Sequence, residues 1–435
     1  MSTANTSTMG SPPIGPPAGF QPEQPRSLLS YARHADPIVM FIWAASTTLQ
    51  FGFMGPLRYL AAAYFAGCLL LYARQTMPAV ARCWPLFLLP ILCTMSAMWA
   101  PSSAEALRKG FSLALTGAVA IYAATRIPGR KILVAYFLVG LIAALLSLVI
   151  NTPDQGAWTG IFGQKNFFAV NMFILYVTAL GVTFDKENGR WLRRLAFAAI
   201  PLAMFLVLMA KSGTTTLLVI GATLVMVGHT FIWQPATRIP KMRVFIVMLL
   251  ATLIAFAAYI ALGVLQLDLK KEILDALGKD STLTGRTMLW EIAQRTMDEH
   301  PWTGLGANGY WRAERGMANS IQALLQGTER FTGFTFHNSY LENGANYGYP
   351  GYWATVFLAA WCCFSAAITW LRNQTATNMA FLVLALMLVL RTTSEADLAG
   401  EFGGTVVLLF IAAARKEKLP RKHAAPPLMP QPAGA

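Results

Sequence analysis

The sequence predicts an all-α polytopic membrane protein: about twelve transmembrane helices and one large loop outside the membrane, itself containing short helices. Three observations carry that expectation. Of 435 residues, 55% are hydrophobic and only 12% charged, where ordinary soluble domains are about a quarter charged, and mean hydropathy is +0.49. Apolar blocks long enough, or nearly long enough, to cross about 30 Å of hydrocarbon recur along the chain. Lysine and arginine are divided unevenly between the segments that join those blocks.

Residues 1–36 open with "MSTANTSTMGSPPIGPPAGFQPEQPR", a Ser, Thr, Pro and Gly stretch with no apolar block to offset the entropy of ordering it. It is expected to be a disordered cytoplasmic tail. The basic start and apolar core of a cleavable signal peptide are missing, so the first span is expected to direct insertion. Residues 37–265 carry nine expected spans, beginning near Ile38, Leu57, Pro85, Glu105, Ile132, Phe167, Leu195, Thr214 and Val244. Residues 266–349 form the large outside loop, residues 350–415 carry three more spans from Pro350, Ala376 and Thr405, and residues 416–435 form a basic tail. The first, third, seventh and last blocks are short or interrupted by polar residues.

Sides follow from charge, since basic residues collect in loops facing the cytoplasm. Placing the N-terminus inside puts "ARQTMPAVAR", "RIPGRK", "DKENGRWLRR", "ATRIPKMR", "LRNQ" and "RKEKLPRKH" on the inner side. The short outer loops then hold only Arg58, Arg108, Lys109, Lys165, Lys211 and Arg391. Both termini are therefore expected to be cytoplasmic. The same bias accounts for the net charge of +14 without nucleic acid, because no basic aromatic module accompanies it. The cysteines, Cys68, Cys83, Cys93, Cys362 and Cys363, lie in spans or on the inner side and show no disulfide or metal spacing. No solenoid period and no pair of matching transporter halves is evident.

A loop as long as 266–349 is uncommon unless it carries function. Within it "KKEILDALGK" and "TMLWEIAQRTM" have helical apolar spacing, and Pro301 after His300 closes the second helix. "PWTGLGANGYW" supplies glycine turns with Trp302, Tyr310 and Trp311, suited to the membrane interface or to stacking on sugar rings.

Chemistry is concentrated on the outer side. His337 reads either as a loop histidine bonded to backbone or as a neutral imidazole poised to take a proton. Gly344, Gly348 and Gly351 follow at i, i+4, i+7, which would clear one helical face for a close neighbour. Arg286 follows a glycine turn at a helix start, where a guanidinium beside free N–H groups suits a diphosphate; as a solvated surface arginine it would be unremarkable. Lys211 interrupts an apolar stretch, a functional hypothesis at membrane depth unless it snorkels to headgroups. Gln164, Lys165 and Asn166 in "GIFGQKNFF", with Arg391, Glu395, Asp397 and Glu401 in "RTTSEADLAGEFGG", complete the outer set. One short acidic loop offers too few hard oxygen ligands for a metal, so the expectation is metal-free chemistry in which cations neutralise a diphosphate leaving group, with no cofactor.

In "HNSYLENGANYGYPG" His337 and Asn338 are followed by nine residues, Gly348, two more and Gly351. With "TGRTMLW", "HPWTGLGANGYW", "GIFGQKN" and "RTTSEADL", the chain from the third span to the last resembles the O-antigen ligase and polymerase superfamily of bacterial membrane glycosyltransferases, and most of all exopolysaccharide polymerases. That resemblance implies a class C glycosyltransferase-like architecture in the bacterial inner membrane, with the large loop periplasmic. It implies a glycan donor on undecaprenyl diphosphate, inversion without metal, and His337 and Arg286 in the active centre, to which the outer acidic cluster adds Glu395 as a catalytic candidate. Lys211, Lys165, Asn166, Arg391, Asn338 and Tyr340 then become candidate substrate contacts. Where many ligases have an arginine after the seventh span, this chain has Lys211, a point charge rather than a two-pronged fork. The acceptor is either another lipid-linked repeat unit (polymerase, the favoured reading) or lipid A core (ligase); a lipid-linked sugar transporter is the third reading. A flippase and a chain-length regulator would be the expected partners of a polymerase.

Overall fold

The computed structural model describes residues 28–49, 51–153, 156–258, 286–312, 316–326 and 334–416. Among them there is no strand, and the helices are α1 Leu28–Thr48, α2 Met54–Leu71, α3 Ala73–Arg82, α4 Leu88–Met95, α5 Ser103–Arg126, α6 Gly129–Val149, α7 Lys165–Phe184, α8 Arg190–Met209, α9 Gly213–Gly228, α10 Met242–Ala258, α11 Arg286–Glu299, α12 Gly316–Gln326, α13 Ser339–Arg372, α14 Ala376–Arg391 and α15 Gly404–Ala414.

Each of the twelve apolar blocks coincides with a helical segment of this set. Among the described residues, six helices are long and apolar enough to cross a membrane (α2, α6, α7, α8, α9 with its extension to Arg238, and α13), or seven if α3 and the segment Trp84–Met98, bent by 81°, form one broken span. The remaining blocks give helices that are shorter, such as α14 and α15, or that carry charge, such as α1 with Asp36 and α5 with Arg108 and Lys109. The stretch read as the inner loop "ARQTMPAVAR" is itself helical, because its apolar residues fall on one face: Thr76 and Ala79 are buried, and Arg82 donates to the Ala414 carbonyl at 2.8 Å.

Helices apolar on every side meet two different fates. α7 is central: every residue from Phe168 to Val182 is buried, packed between α6, α8, α9 and α14. Close approach depends on small residues, as expected between membrane helices; Gly140 of α6 faces Leu175 of α7, and Gly181 of α7 faces Ala380 of α14. α15 is likewise buried from Thr405 to Ala414. α10, by contrast, leaves Val244, Phe245, Val247, Met248, Leu249, Leu250, Leu253 and Phe256 exposed, which is costly against water but not against lipid tails.

At one end of the bundle lie α11 and α12. The helix expected in "TMLWEIAQRTM" is α11, ending at Glu299 before Pro301; "KKEILDALGK" lies outside the described residues. The three glycines do not share one helical face, because α13 breaks at Tyr347 and Gly348 (φ +69°). The segment after α11 fills that break: Tyr349 N–H donates to Pro301 O at 2.8 Å, Leu305 N–H to Ala345 O at 2.9 Å and Gly306 N–H to Asn346 O at 2.8 Å. The expected use of Tyr310 and Trp311 at an interface or on sugars is also corrected: both are buried with Phe334 and Phe336 in a small aromatic core, while Trp302 is exposed. A β-carbon on Gly348 would lie 2.4 Å from Pro301 O. Gly348→Ala should therefore lower the melting temperature of the detergent-solubilised protein by several degrees, a strain of about 1–3 kcal/mol from a backbone conformation that is essentially confined to glycine. Gly228→Ala, at a helical position with nothing within 4 Å, should leave it unchanged or raise it.

Candidate active site

The site is assembled from helix ends, where polar backbone groups and side chains can coexist with an apolar bundle. Asn338 caps α13, accepting from the N–H groups of Tyr340 at 3.0 Å and Leu341 at 3.1 Å, and its amide donates to Thr393 O at 3.1 Å. Ser339 ties the same helix start to the loop after α14: its N–H donates to Thr392 O, its hydroxyl donates to Glu395 O at 2.8 Å, and it accepts from Leu398 N–H at 3.1 Å. The Tyr340 hydroxyl accepts from Thr392 Oγ1 at 3.1 Å.

Into this frame the loop carries Glu395, which collects three of the residues singled out in the sequence. Its Oε1 accepts from Asn166 Nδ2 at 3.0 Å and from Arg286 Nη2 at 3.1 Å. Its Oε2 lies 3.2 Å from His337 Nδ1. Asn166 stands in the first turn of α7, Arg286 opens α11, and His337 immediately precedes the α13 cap. The three groups come from positions 166, 286 and 337, so the carboxylate joins chain-distant segments at one point. His337 itself has φ +50°, an uncommon conformation for a residue with a β-carbon and one that clusters at functional sites.

Burial works to raise the Glu395 carboxyl pKa, but the His337 hydrogen bond and the nearby Arg391, His337 and Arg286 charges outweigh it and hold the group below its ordinary value. An ionised carboxylate only accepts hydrogen bonds. His337 Nδ1 therefore carries a hydrogen, donated to Oε2, and Nε2 has no hydrogen-bond partner among the described residues. The arrangement sets an imidazole and a guanidinium against one carboxylate, with the Arg286 and His337 side chains 17% and 29% exposed.

The other candidates are placed less directly. Arg391 is buried and ion-paired with Asp397, so it supports the loop rather than facing open space. Lys165 begins α7 next to Asn166 and forms no ion pair among the described residues. Lys211 is exposed in the turn between α8 and α9 at φ +49°, beside Gly156, and makes no contact with the Glu395 cluster among the described residues. Glu401 pairs with Arg108 at 2.9 Å.

Several residues that hold the site escaped the sequence reading. Ser339 gave no signal beyond following a cap. Lys109, Asn308, Glu105 and Arg312 form a chain of contacts, Lys109 Nζ to Asn308 Oδ1 at 2.5 Å, Asn308 Nδ2 to Glu105 Oε1 at 2.6 Å and Arg312 Nη1 to Glu105 Oε2 at 3.2 Å, which docks the segment after α11 onto α5. Opposite charges in two outer loops were the only available hint.

Residues 196–356, from α8 into α13, match the family model described as O-antigen ligase (Wzy_C). That stretch holds Lys211, Arg286, His337, Asn338 and Tyr340 and leaves Lys165, Asn166, Arg391 and Glu395 outside it. The chain is also 26% identical over 355 residues to the exopolysaccharide production protein ExoQ of Rhizobium meliloti (strain 1021), covering 79% of this chain and 79% of that protein. Two matches of different kinds thus converge with the motif around His337 on a likeness to the O-antigen ligase and polymerase superfamily.

Proposed function

We propose that the protein is an inverting, metal-independent glycosyltransferase that joins undecaprenyl-diphosphate-linked oligosaccharide repeat units at the periplasmic face of the bacterial inner membrane, a polysaccharide polymerase. The observation that carries the reading is the Glu395-oriented imidazole of His337 beside the Arg286 guanidinium. The likeness to an exopolysaccharide production protein supports polymerase over ligase.

The acceptor sugar hydroxyl attacks the anomeric carbon of the donor as His337 Nε2 takes its proton. The bond from that carbon to the diphosphate oxygen breaks with inversion, and the electron pair leaves on the diphosphate. Arg286 binds that leaving group, with Lys165 and Lys211 adding positive charge nearby. Glu395 fixes the tautomer and steadies the imidazolium, as a carboxylate does behind a histidine base. Both of its oxygens are occupied by Arg286, Asn166 and His337, and Asp397 by Arg391, which supports cation-assisted departure rather than metal ligation.

Activity is read as elongation of a purified lipid-linked oligosaccharide. A positioned base contributes about 10² to 10⁴ in rate, so His337→Gln should be nearly as inactive as His337→Ala; a well-folded Gln variant at the wild-type rate removes the base from His337. Arg286→Lys keeps charge but loses the fork and should fall strongly, and EDTA should change little. Glu395→Gln offers an amide N–H to the ring, reverses the tautomer and should lose about 10²-fold or more in kcat.

The sign of the pH effect follows from the depressed carboxyl. Glu395 pairing stabilises the fold fully above the ordinary carboxylate range and is lost only as pH falls through its lowered value. The melting temperature of the detergent-solubilised protein should therefore keep this contribution above the ordinary carboxylate range and lose it on further acidification, and Glu395→Gln should lack that acid-dependent component.

The ligase reading has its own support in the description of the matching family model. Parallel assays with a second lipid-linked repeat unit and with lipid A core as acceptor separate the two; transfer only to the core establishes the ligase. The topology proposed with this function has twelve spans, both termini cytoplasmic, residues 266–349 periplasmic as the catalytic loop, and a flippase and chain-length regulator as partners. An impermeant thiol reagent on intact spheroplasts should label a cysteine placed at Ser320 and not one at Thr3; the opposite pattern inverts the topology.

A further inference from the structure

A buried acid one turn beyond His337 has no part in the chemistry above. Glu342 is 7% exposed, and its Oε2 accepts the Phe336 N–H at 2.8 Å. The other side of the same residue is held from α11: the Trp290 indole N–H donates to Phe336 O at 3.1 Å. The Phe336 ring is fully buried between Tyr310 at 4.9 Å and Trp311 at 4.8 Å. Phe336 is thus fixed by its donor, its acceptor and its side chain, and the next residue is His337 in its left-handed conformation. On the far side, Asn338 is fixed as the α13 cap.

A residue at positive φ relaxes toward the common region unless its surroundings prevent it. Thr335 Oγ1 accepts the His337 N–H only at 3.3 Å, a weak restraint. The firm ones are one residue to either side. Trp290 also lies in the first turns of α11, the helix that Arg286 begins, so the clamp fixes the imidazole relative to the guanidinium.

We propose that Glu342 is a positioning residue, which together with Trp290 grips the Phe336 backbone and so holds the His337 imidazole in its aim at Glu395 and the reacting sugar. The inference rests on the proposed role of His337 as base. What Glu342 supplies is an acceptor for a buried N–H, not a charge; removing it strands that donor, and the loop relaxes.

The test combines a kinetic readout with one that needs no activity. In the elongation assay Glu342→Ala should lower kcat about tenfold to a hundredfold, the scale of a misplacement of about 1 Å, while the KM for the lipid-linked donor stays within about twofold because no substrate contact is lost. Glu342→Gln keeps an acceptor oxygen in place and should stay within about threefold of wild type. Trp290→Phe should mirror Glu342→Ala, and the double variant should be little worse than the poorer single one, because both act through one residue. Amide exchange over residues 334–338 should be slow in wild type and Glu342→Gln and fast in Glu342→Ala. Should Glu342→Ala fail to fold, Trp290→Phe, a substitution at a partly exposed position, carries the same prediction. A Gln variant as impaired as Ala, an unchanged kcat in Ala and Trp290→Phe, or losses that multiply in the double variant would each overturn the proposal. If wild type transfers no sugar, the functional reading falls, while the exchange data still decide whether the clamp exists.

Discussion

The Glu395 carboxylate accepts from the first turn of α7, the first residue of α11 and the loop before α13. Those elements are held in the bundle by different neighbours, and the carboxylate is where they meet. Taking a carboxylate out of water is costly unless its lone pairs are used. Here three side chains use them, the charge of the nearby buried Arg391 adds its attraction, and the outcome is a carboxylate that stays ionised although burial opposes it. Polar networks at helix ends are affordable in a membrane bundle because they sit where hydrocarbon gives way to water, and the unsatisfied ends of helices supply backbone partners such as Thr392 O and Thr393 O.

Much of the fold was legible in the sequence because hydrocarbon is a simple solvent. It demands apolar blocks of a given length, and each block found in the sequence coincides with a helical segment. The end of α11 was legible from Pro301, and its start from the glycine turn before Arg286. The site was legible only in its outward features. His337 and Arg286 stood out as polar residues in polar loops, and Glu395 as part of an acidic cluster, but nothing in the linear order states that Glu395 lies between them. That is a property of how three helix ends pack. The same limit applies to Tyr310 and Trp311, whose amphipathic character suits interfaces as well as cores, and which a core of four aromatics claims. It applies to the glycines of α13, since a spacing of i, i+4, i+7 assumes the continuous helix that Gly348 interrupts.

Family matching and physical reading cover different parts of this centre. The ligase model ends at residue 356, before Arg391 and Glu395, and begins after Lys165 and Asn166. Within it lie the residues that would touch the reacting groups; outside it lie two of the groups that tell those residues where to stand. Lys211 lies within the match and yet apart from the Glu395 cluster, exposed beside Gly156.

The break in α13 bears on how a lipid-borne molecule gets in. Three peptide groups around the break are bonded to the segment 301–306, and that segment is pinned in turn by Trp99 Nε1 to Thr303 O at 2.9 Å and by Ala307 N–H to Ser96 Oγ at 3.1 Å. Lifting it away like a lid would break five hydrogen bonds together, each worth about 0.5–1.5 kcal/mol net. Under the proposed function, a lipid-borne substrate would meet a fixed wall there and would enter sideways between helices, leaving the segment 301–306 in place.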